Sequence, residues 1–177
     1  MYEEIYEPSP NLYWVKLNSR QNKSARREWR KDESMFTCKR CQAAVPTEPS
    51  ISGVLNRNHC PYCLWSRHVD YLQPGDRMSA CKAIMQPIGL TLKRRKNKYG
   101  EWEFGELMVI HCCNDCGKIS INRIAADDQV ERLMELFSES LSLSVNTINQ
   151  LESNGIEILH AEHAKLVTCQ LQGVCQH

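Results

Sequence analysis

Residues 38–63 read CKRCQAAVPTEPSISGVLNRNHCPYC and contain two Cys-x-x-Cys pairs, Cys38/Cys41 and Cys60/Cys63, with 18 residues between them. The two-residue spacer lets both sulfurs of one tight turn approach a single ion, while backbone N–H groups of the turn stabilise the thiolates. Two such turns at this separation are typical of a tetrahedral four-cysteine zinc site. Because thiolates fill all four positions and leave none for water, the pattern predicts a structural zinc ion rather than a catalytic one.

A third pair, Cys113/Cys116, comes just before Gly117, where the chain must bend back. One pair does not saturate a zinc ion, so a second site needs two further ligands. The candidates are Cys81, His59, His68 and His111. Cys81 is the expected third ligand, and His68 and His111 compete for the fourth position. We interpret the remaining cysteines, Cys112, Cys169 and Cys175, as bystanders.

The composition favours a cytoplasmic protein that uses its thiols for metal. Ten of the 177 residues are cysteine. The N-terminus has no basic region followed by an apolar stretch, so no secretory signal is expected, and no apolar run is long enough for a membrane-spanning helix. In the cytosol thiols stay reduced, which favours metal ligation over disulfides. Residues 35–87 are rich in turns and poor in large apolar side chains, so we expect zinc to stabilise their fold.

The pattern predicts a small α+β, zinc-ribbon-like domain. Alternating apolar residues over 88–111 predict a β-hairpin whose second strand is interrupted by a bulge at Gly105. A helix is expected after Cys63, through residues 64–71, and the apolar spacing over 124–150 predicts a longer amphipathic helix. Residues 156–177 are expected to form a short strand or helix. We divide the chain into a flexible basic arm (1–34), a zinc-binding domain (35–128) and an acidic helical extension (129–177).

Residues 57–61 read Arg-Asn-His-Cys-Pro. Together with residues 63–64, 66, 68–70, 74–77, 81, 85–88, 111–117, 122–125 and 127–128, this pentapeptide resembles the RNHCP domain family, and the resemblance covers about residues 35–128. The family is a bacterial one taken to bind zinc, without an established activity, so the resemblance implies metal sites and no reaction. The family's recurring residues correspond here to Cys38, Cys41, His59, Cys60, Cys63, His68, Cys81, Cys113 and Cys116. They are about enough for two four-ligand ions.

The tip of the predicted hairpin indicates nucleic-acid binding. Its cations are followed at once by two aromatic residues, and the full set is Lys93, Arg94, Arg95, Lys96, Lys98, Tyr99 and Trp102. Clustered cations neutralise phosphates, and exposed rings stack on unpaired bases, which favours RNA. Ribosome or translation association is one role that such a module would fit. Alternatively, the cations lie on a solvated loop and only discourage its strands from pairing with the sheet edge of another molecule, and Trp102 is a core residue of the second strand.

Charge is distributed unevenly along the chain. Residues 1–123 carry 20 Lys/Arg and 13 Asp/Glu, whereas residues 124–177 carry 2 and 8. A basic arm that includes Arg26, Arg27 and Arg30 adds a possible phosphate contact, unless it is only a solvated tail. Arg57, Arg67, Arg77 and Arg123 either extend this surface or pair with Asp70, Asp76, Asp127 and Asp128. The acidic extension 129–177 suggests an alternative function as a protein-binding adaptor, unless its apolar stripe packs on the zinc domain. The oligomeric state is left open.

A zinc-dependent hydrolase is a second alternative. Whether the chain is an enzyme is left open, although the sequence favours a non-catalytic protein. His160-Ala161-Glu162 is similar to the His-x-Glu of zinc deaminases, but the later Pro-Cys-x-x-Cys is missing. The chain has residues suited to a hydrolytic site, namely His59, His68, Asp70, Asp76, Asp127 and Asp128. Zinc ligation by the histidines, and helix capping or salt bridges by the aspartates, explain them more simply.

Overall fold

The computed structural model describes residues 35–96, 98–100 and 102–173, with side chains at all of these positions except 94–96 and 102–104. The predicted basic arm 1–34, with Arg26, Arg27 and Arg30, lies outside the described residues, as does Cys175. The fold is α+β. Its elements are β1 Met35–Thr37, β2 Ala44–Pro46, α1 Pro49–Ser52, β3 Ser66–Arg67, β4 Ile84–Lys96, β5 Trp102–Cys113, β6 Ile119–Arg123, α2 Val130–Ser140, α3 Val145–Ser153, a 3₁₀ helix Ala161–His163 and α4 Ala164–Gln172.

Two antiparallel sheets flank the Cys-x-x-Cys turns. Strands β1 and β2 form a two-stranded sheet, and the four-stranded sheet has the order β3-β4-β5-β6. The predicted hairpin is present as β4 and β5, and it begins earlier than expected, at Ile84. A register shift between Leu92 and Arg94 of β4 confirms the bulge. The bulge requires glycine at position 105, because a Cβ there would lie 2.5 Å from the Lys93 carbonyl oxygen. Only glycine lets the two backbones approach this closely.

The main core forms between the hairpin and the C-terminal helices. Its buried side chains come from β4, β5, α2, α4, the residue after the second cysteine pair and the segment before the 3₁₀ helix: Leu64, Leu90, Leu92, Leu107, Val109, Leu133, Leu136, Phe137, Leu159 and Val167. Leu133, Leu136 and Phe137 lie on one face of α2, so its apolar stripe packs on the sheet. The stripe of the acidic extension therefore contacts the zinc-binding part of the same chain.

Two helix predictions need correction. Residues 124–150 do not form one helix: α2 starts at Val130 and a break at 141–144 separates it from α3. Serines cause this break, since the hydroxyls of Ser140 and Ser142 donate to the backbone carbonyls of Phe137 and Glu139, and Ser144 caps α3 by accepting from Thr147 N–H.

The predicted helix over residues 64–71 is wrong. Leu64 has a φ of 60°, which is incompatible with a right-handed helix, and Ser66 and Arg67 pair with Met85 and Ile84 of β4. The segment after Cys63 is therefore extended.

Residues 156–173 end in a helix, α4, as one of the two predicted alternatives. Of the helices in the described part of the chain, none has both the length and the apolar character needed to cross a membrane.

Candidate metal centres

The first cysteine group closes around one point. Cys38 and Cys41 lie on the turn between β1 and β2, and Cys60 and Cys63 on the turn before β3. The four sulfurs lie within 4.8 Å of one another, with Sγ–Sγ distances of 3.6 Å for Cys38–Cys63 and for Cys41–Cys60. A tetrahedral S₄ site with Zn–S bonds of about 2.3 Å has sulfur–sulfur edges of about 3.8 Å. The group thus fits a zinc ion bound by four thiolates.

All three Cys-x-x-Cys turns share one backbone geometry. In each turn the first cysteine donates its N–H to the carbonyl five residues later: Cys38 to Ala43, Cys60 to Trp65 and Cys113 to Lys118, at 2.8–3.0 Å. In each turn the residue after the second cysteine donates back to the first and has a positive φ: Gln42 at 65°, Leu64 at 60° and Gly117 at 69°. This left-handed residue reverses the chain, which leaves both sulfurs on the inside of the turn. Only the third turn uses the glycine that favours this conformation.

The second group consists of His68, Cys81, Cys113 and Cys116, whose ligand atoms also lie within 4.8 Å of one another. Cys81 Sγ is 3.6 Å from Cys113 Sγ, and His68 Nδ1 is 3.3 Å from Cys116 Sγ. Strand pairing assembles the group. His68 follows β3, and its backbone N–H donates to the carbonyl of Ala83, which lies two residues after Cys81. Burial and the nearby Lys118 lower the pKa of His68, which favours the neutral imidazole that binds metal.

The donor chemistry of both groups suits a dication. Burial, together with neighbouring thiols, raises the pKa of Cys60 to about 11, and it raises the pKa of Cys63 as well. Although the Ala83 N–H favours the thiolate, burial and the Asp115 carboxylate raise the pKa of Cys81 to about 12. Thiols this crowded ionise together only when a cation offsets their repulsion. Each group can therefore hold a zinc ion.

His111 and His59 are not ligands in this arrangement, which corrects two of the candidates. His111 Nε2 donates to the Leu64 carbonyl at 2.7 Å, and its Nδ1 accepts from the Asn122 side chain at 2.9 Å. The ring is fully buried, and burial together with the neighbouring His59 lowers its pKa to about 3. His59 Nε2 donates to Asp128 Oδ2 at 2.8 Å. Both rings are thus committed to the protein interior.

The Arg-Asn-His-Cys-Pro pentapeptide ties the first metal centre to the start of α2. Arg57 contacts Asp127 at 2.7 Å and Asp128 at 3.4 Å, and the side chains of Arg57 and Asp128 are both fully buried. Asp128 also accepts from the Ala125 N–H, while the Pro61 carbonyl accepts from the Gln129 N–H. The pentapeptide therefore supplies one metal ligand, Cys60, and a buried ionic network that fixes its position.

The aspartates proposed for a hydrolytic site have structural partners. The Asp70 carboxylate accepts from the Asn58 side chain and from the backbone of Gly75 and Arg77. Although burial opposes ionisation, hydrogen bonds from the backbone of Met78, Tyr71, Gln73 and Leu72 hold the pKa of Asp76 below its usual range. His160 and Glu162 belong to neither ligand group found among the described residues.

The second centre includes an acidic residue, Asp115, that the ligand spacing did not predict. Asp115 lies between Cys113 and Cys116, and its Oδ2 is 3.3 Å from Cys81 Sγ. A carboxylate inside a Cys-x-x-Cys turn is the signal that could have identified it. Cys112, by contrast, packs half-buried against the apolar cluster of Ile110, Ile119, Leu151 and Ile158, and Cys169 lies on α4, outside both ligand groups.

The candidate nucleic-acid residues are described only in part. Lys93 and Lys98 are exposed, Tyr99 is 77% exposed, and Lys98 Nζ lies 4.9 Å from the centroid of the Tyr99 ring. The side chains of Arg94, Arg95, Lys96 and Trp102 lie outside the described part of the structure, although their backbones continue the hairpin.

Comparison with protein families matches the RNHCP domain over residues 33–134, more than half of the chain. The match includes every residue of both ligand groups and the buried network at 57–61 and 127–128. Comparisons with curated proteins and with solved structures give no match. The chain therefore belongs to the RNHCP domain family and carries two groups that can each hold a zinc ion.

Proposed function

We propose that the chain is a structural zinc protein of the zinc-ribbon type that binds RNA through the tip of its hairpin. The observation that carries the proposal is the exposed basic and aromatic tip. Lys93, Lys98 and Tyr99 are exposed there, and the sequence adds three more cations between Lys93 and Lys98. Cations neutralise phosphates, and an exposed ring offers a face to an unpaired base.

The hairpin projects beyond the sheet. Strand β6 pairs with β5 only from Met108 to Cys112, and β3 pairs with β4 only at Ile84 and Met85. Past Lys93 and Gly105, β4 and β5 pair only with each other, among the residues that the structure describes. The tip is therefore a two-stranded ribbon, and single-stranded RNA, whose unpaired bases are open to stacking, is the ligand that its cations and exposed ring suit.

The two zinc ions hold the base of this ribbon in place. The second centre joins Cys81, three residues before β4, to Cys113, the last residue of β5. The first centre fixes Leu64, whose side chain packs in the core with Leu90 and Leu107 of the two strands. Metal is thus structural, and the ligand-binding chemistry belongs to the ribbon that it supports.

The test is the salt dependence of RNA binding by the zinc-loaded full chain. Each phosphate contact on a single strand contributes a slope of about 0.7 in the plot of log affinity against log salt concentration. Reversing the charge of Lys93, Arg94, Arg95, Lys96 and Lys98 removes up to five such contacts, so the slope falls by up to about 3.5. The control is Lys165→Glu, an exposed lysine on α4, which leaves the slope nearly unchanged.

An unchanged slope in the correctly folded hairpin variant removes the hairpin from the proposal. No RNA binding by the unmodified chain removes the RNA function itself. The adaptor hypothesis finds less support, because the apolar stripe of α2 already packs in the core. Ribosome or translation association and the cytoplasmic location stay predictions.

A further inference from the structure

The surface around the first metal centre is basic and aromatic. Residues 35–47 and 57–69, which carry its four ligands, contain no Asp or Glu. Between Cys38 and Cys41 lie Lys39 and Arg40, both exposed. Between Cys60 and Cys63 lies Tyr62, which is 50% exposed.

Arg40 and Trp65 link the two turns on this surface. The Arg40 guanidinium carbon lies 4.9 Å from the centroid of the Trp65 ring. Burial alternates after the second turn, since Ser66 and His68 are buried whereas Trp65 and Arg67 are half-exposed. In an extended segment alternate residues point to the same side, so Trp65 and Arg67 share the outward face.

Within the described part of the chain, no carboxylate pairs with the arginines of this surface. Four of the six arginines with described side chains contact a carboxylate: Arg57, Arg77, Arg123 and Arg132. Arg40 and Arg67 contact none among the described residues; Arg67 Nε is buried there without a hydrogen-bond partner, so a phosphate contact by Arg67 falls to its terminal guanidinium nitrogens. A guanidinium group over a half-exposed tryptophan, on turns that also carry an exposed tyrosine and a second arginine, suits the phosphates and unpaired bases of a single strand.

We infer that this surface, made of Lys39, Arg40, Tyr62, Trp65 and Arg67, is a second contact for single-stranded RNA. Tyr62 and Trp65 stack on bases, and the three cations contact phosphates. The inference rests on the proposed RNA function and extends it, because it specifies unpaired RNA as the ligand and the first metal centre as a second place where it binds. An acidic peptide would satisfy the cations but would leave both aromatic faces unused.

The two contacts lie far apart along the ribbon. Ser66, next to Trp65, pairs with Met85, and Lys96 at the tip is eleven residues further along β4. At about 3.3 Å per residue this span is up to about 36 Å, the length of about eleven stacked nucleotides. A strand of 6 nucleotides therefore reaches one contact, and a strand of 18 reaches both. Simultaneous engagement raises affinity beyond that of either contact alone.

The experiment measures binding of fluorescent oligouridylates of 6 and 18 nucleotides to the zinc-loaded full chain. Tyr62→Ala weakens binding of the 18-mer by about 5- to 150-fold, the effect of losing one stacked base. Tyr71→Ala is the matched control. Tyr71 is 56% exposed, and its ring centroid lies 5.6 Å from Lys118 Nζ, but the residue is outside this surface. The Tyr71→Ala variant therefore leaves the affinity unchanged. Because Tyr62 lies between two metal ligands, zinc content is measured for each variant. If Tyr62→Ala loses zinc, the Lys39→Gln/Arg40→Gln variant carries the test, with a salt slope smaller by about 1.4.

The outcomes separate the two proposals. If the surface variants bind like the unmodified chain while hairpin charge reversal weakens binding, the second contact is refuted and the hairpin function stands. If the unmodified chain binds no RNA, both fail. If polyglutamate displaces the 18-mer as well as unlabelled RNA does, or if Tyr62→Ala has no effect while Lys39→Gln/Arg40→Gln does, the surface takes acidic peptides and the RNA assignment is overturned.

Discussion

Replacing Asp128 with asparagine tests the buried network beneath the first metal centre. The Asp128 carboxylate accepts from His59 Nε2 at 2.8 Å and from the Ala125 N–H at 2.7 Å, and it lies 3.4 Å from an Arg57 nitrogen. The substitution keeps the shape of the side chain but removes its charge. Of the carboxylates in the described part of the chain, Asp127 alone then pairs with Arg57, whose side chain is fully buried. Breaking one partner of a buried ion pair costs about 3–5 kcal/mol.

This loss is a large part of the free energy of unfolding of a typical domain, which is roughly 5–15 kcal/mol. We expect the urea midpoint of the zinc-loaded chain to fall by about 2 M, because the free energy of unfolding typically decreases by about 2 kcal/mol per molar urea. Asp127→Asn is the control, because Asp127 is 27% exposed and its loss leaves Asp128 beside Arg57. Equal midpoint shifts for the two variants, or a loss below about 1 kcal/mol for Asp128→Asn, would refute the role assigned to the network.

Further predictions follow from other contacts. Gly105→Ala lowers the free energy of unfolding by about 1–3 kcal/mol, because its Cβ would meet the Lys93 carbonyl oxygen, and an unchanged urea midpoint contradicts this bulge. Asp76→Asn weakens the hydrogen bonds that the backbone N–H groups of Tyr71, Leu72, Gln73 and Met78 donate to this side chain, so limited proteolysis in this loop becomes several-fold faster; in the unmodified chain the carboxylate's contribution is present above its unfolded pKa near 3.8 and is lost as pH falls through the lower folded value. Strong chelation removes hydrogen-exchange protection from residues 35–63 before α2, and unchanged protection speaks against structural zinc. Cys112→Ser, which alters a thiol outside both ligand groups, leaves the zinc content unchanged by elemental analysis.

The parts of the structure that local spacing determines were predictable. A two-residue spacer sets the position of both sulfurs within one turn, so the four-cysteine group followed from the sequence of residues 38–63. Alternating apolar residues likewise indicated the hairpin, and Gly105 marked its bulge. The extended segment at Ser66 and Arg67 was missed because its buried positions, Ser66 and His68, are polar, which hides the period of two.

The histidine of the second centre was not predictable, because strand pairing decides it. His68 reaches the group through the pairing of β3 with β4. His111 lies two residues before Cys113 and on the same side of β5. It is therefore about 7 Å from Cys113 along the strand, and its side chain contacts Leu64 instead of the second centre. The acceptor for His59, Asp128, is 69 residues away in sequence, a separation at which no spacing pattern operates.

Counting zinc ions by native mass spectrometry tests the two-centre arrangement most directly. The unmodified chain should hold two zinc ions, His68→Ala should hold one, and His111→Ala should still hold two, since His111 binds only protein groups. One zinc ion in the unmodified chain would contradict the second centre. Loss of an ion from His111→Ala but not from His68→Ala would reverse the ligand assignment.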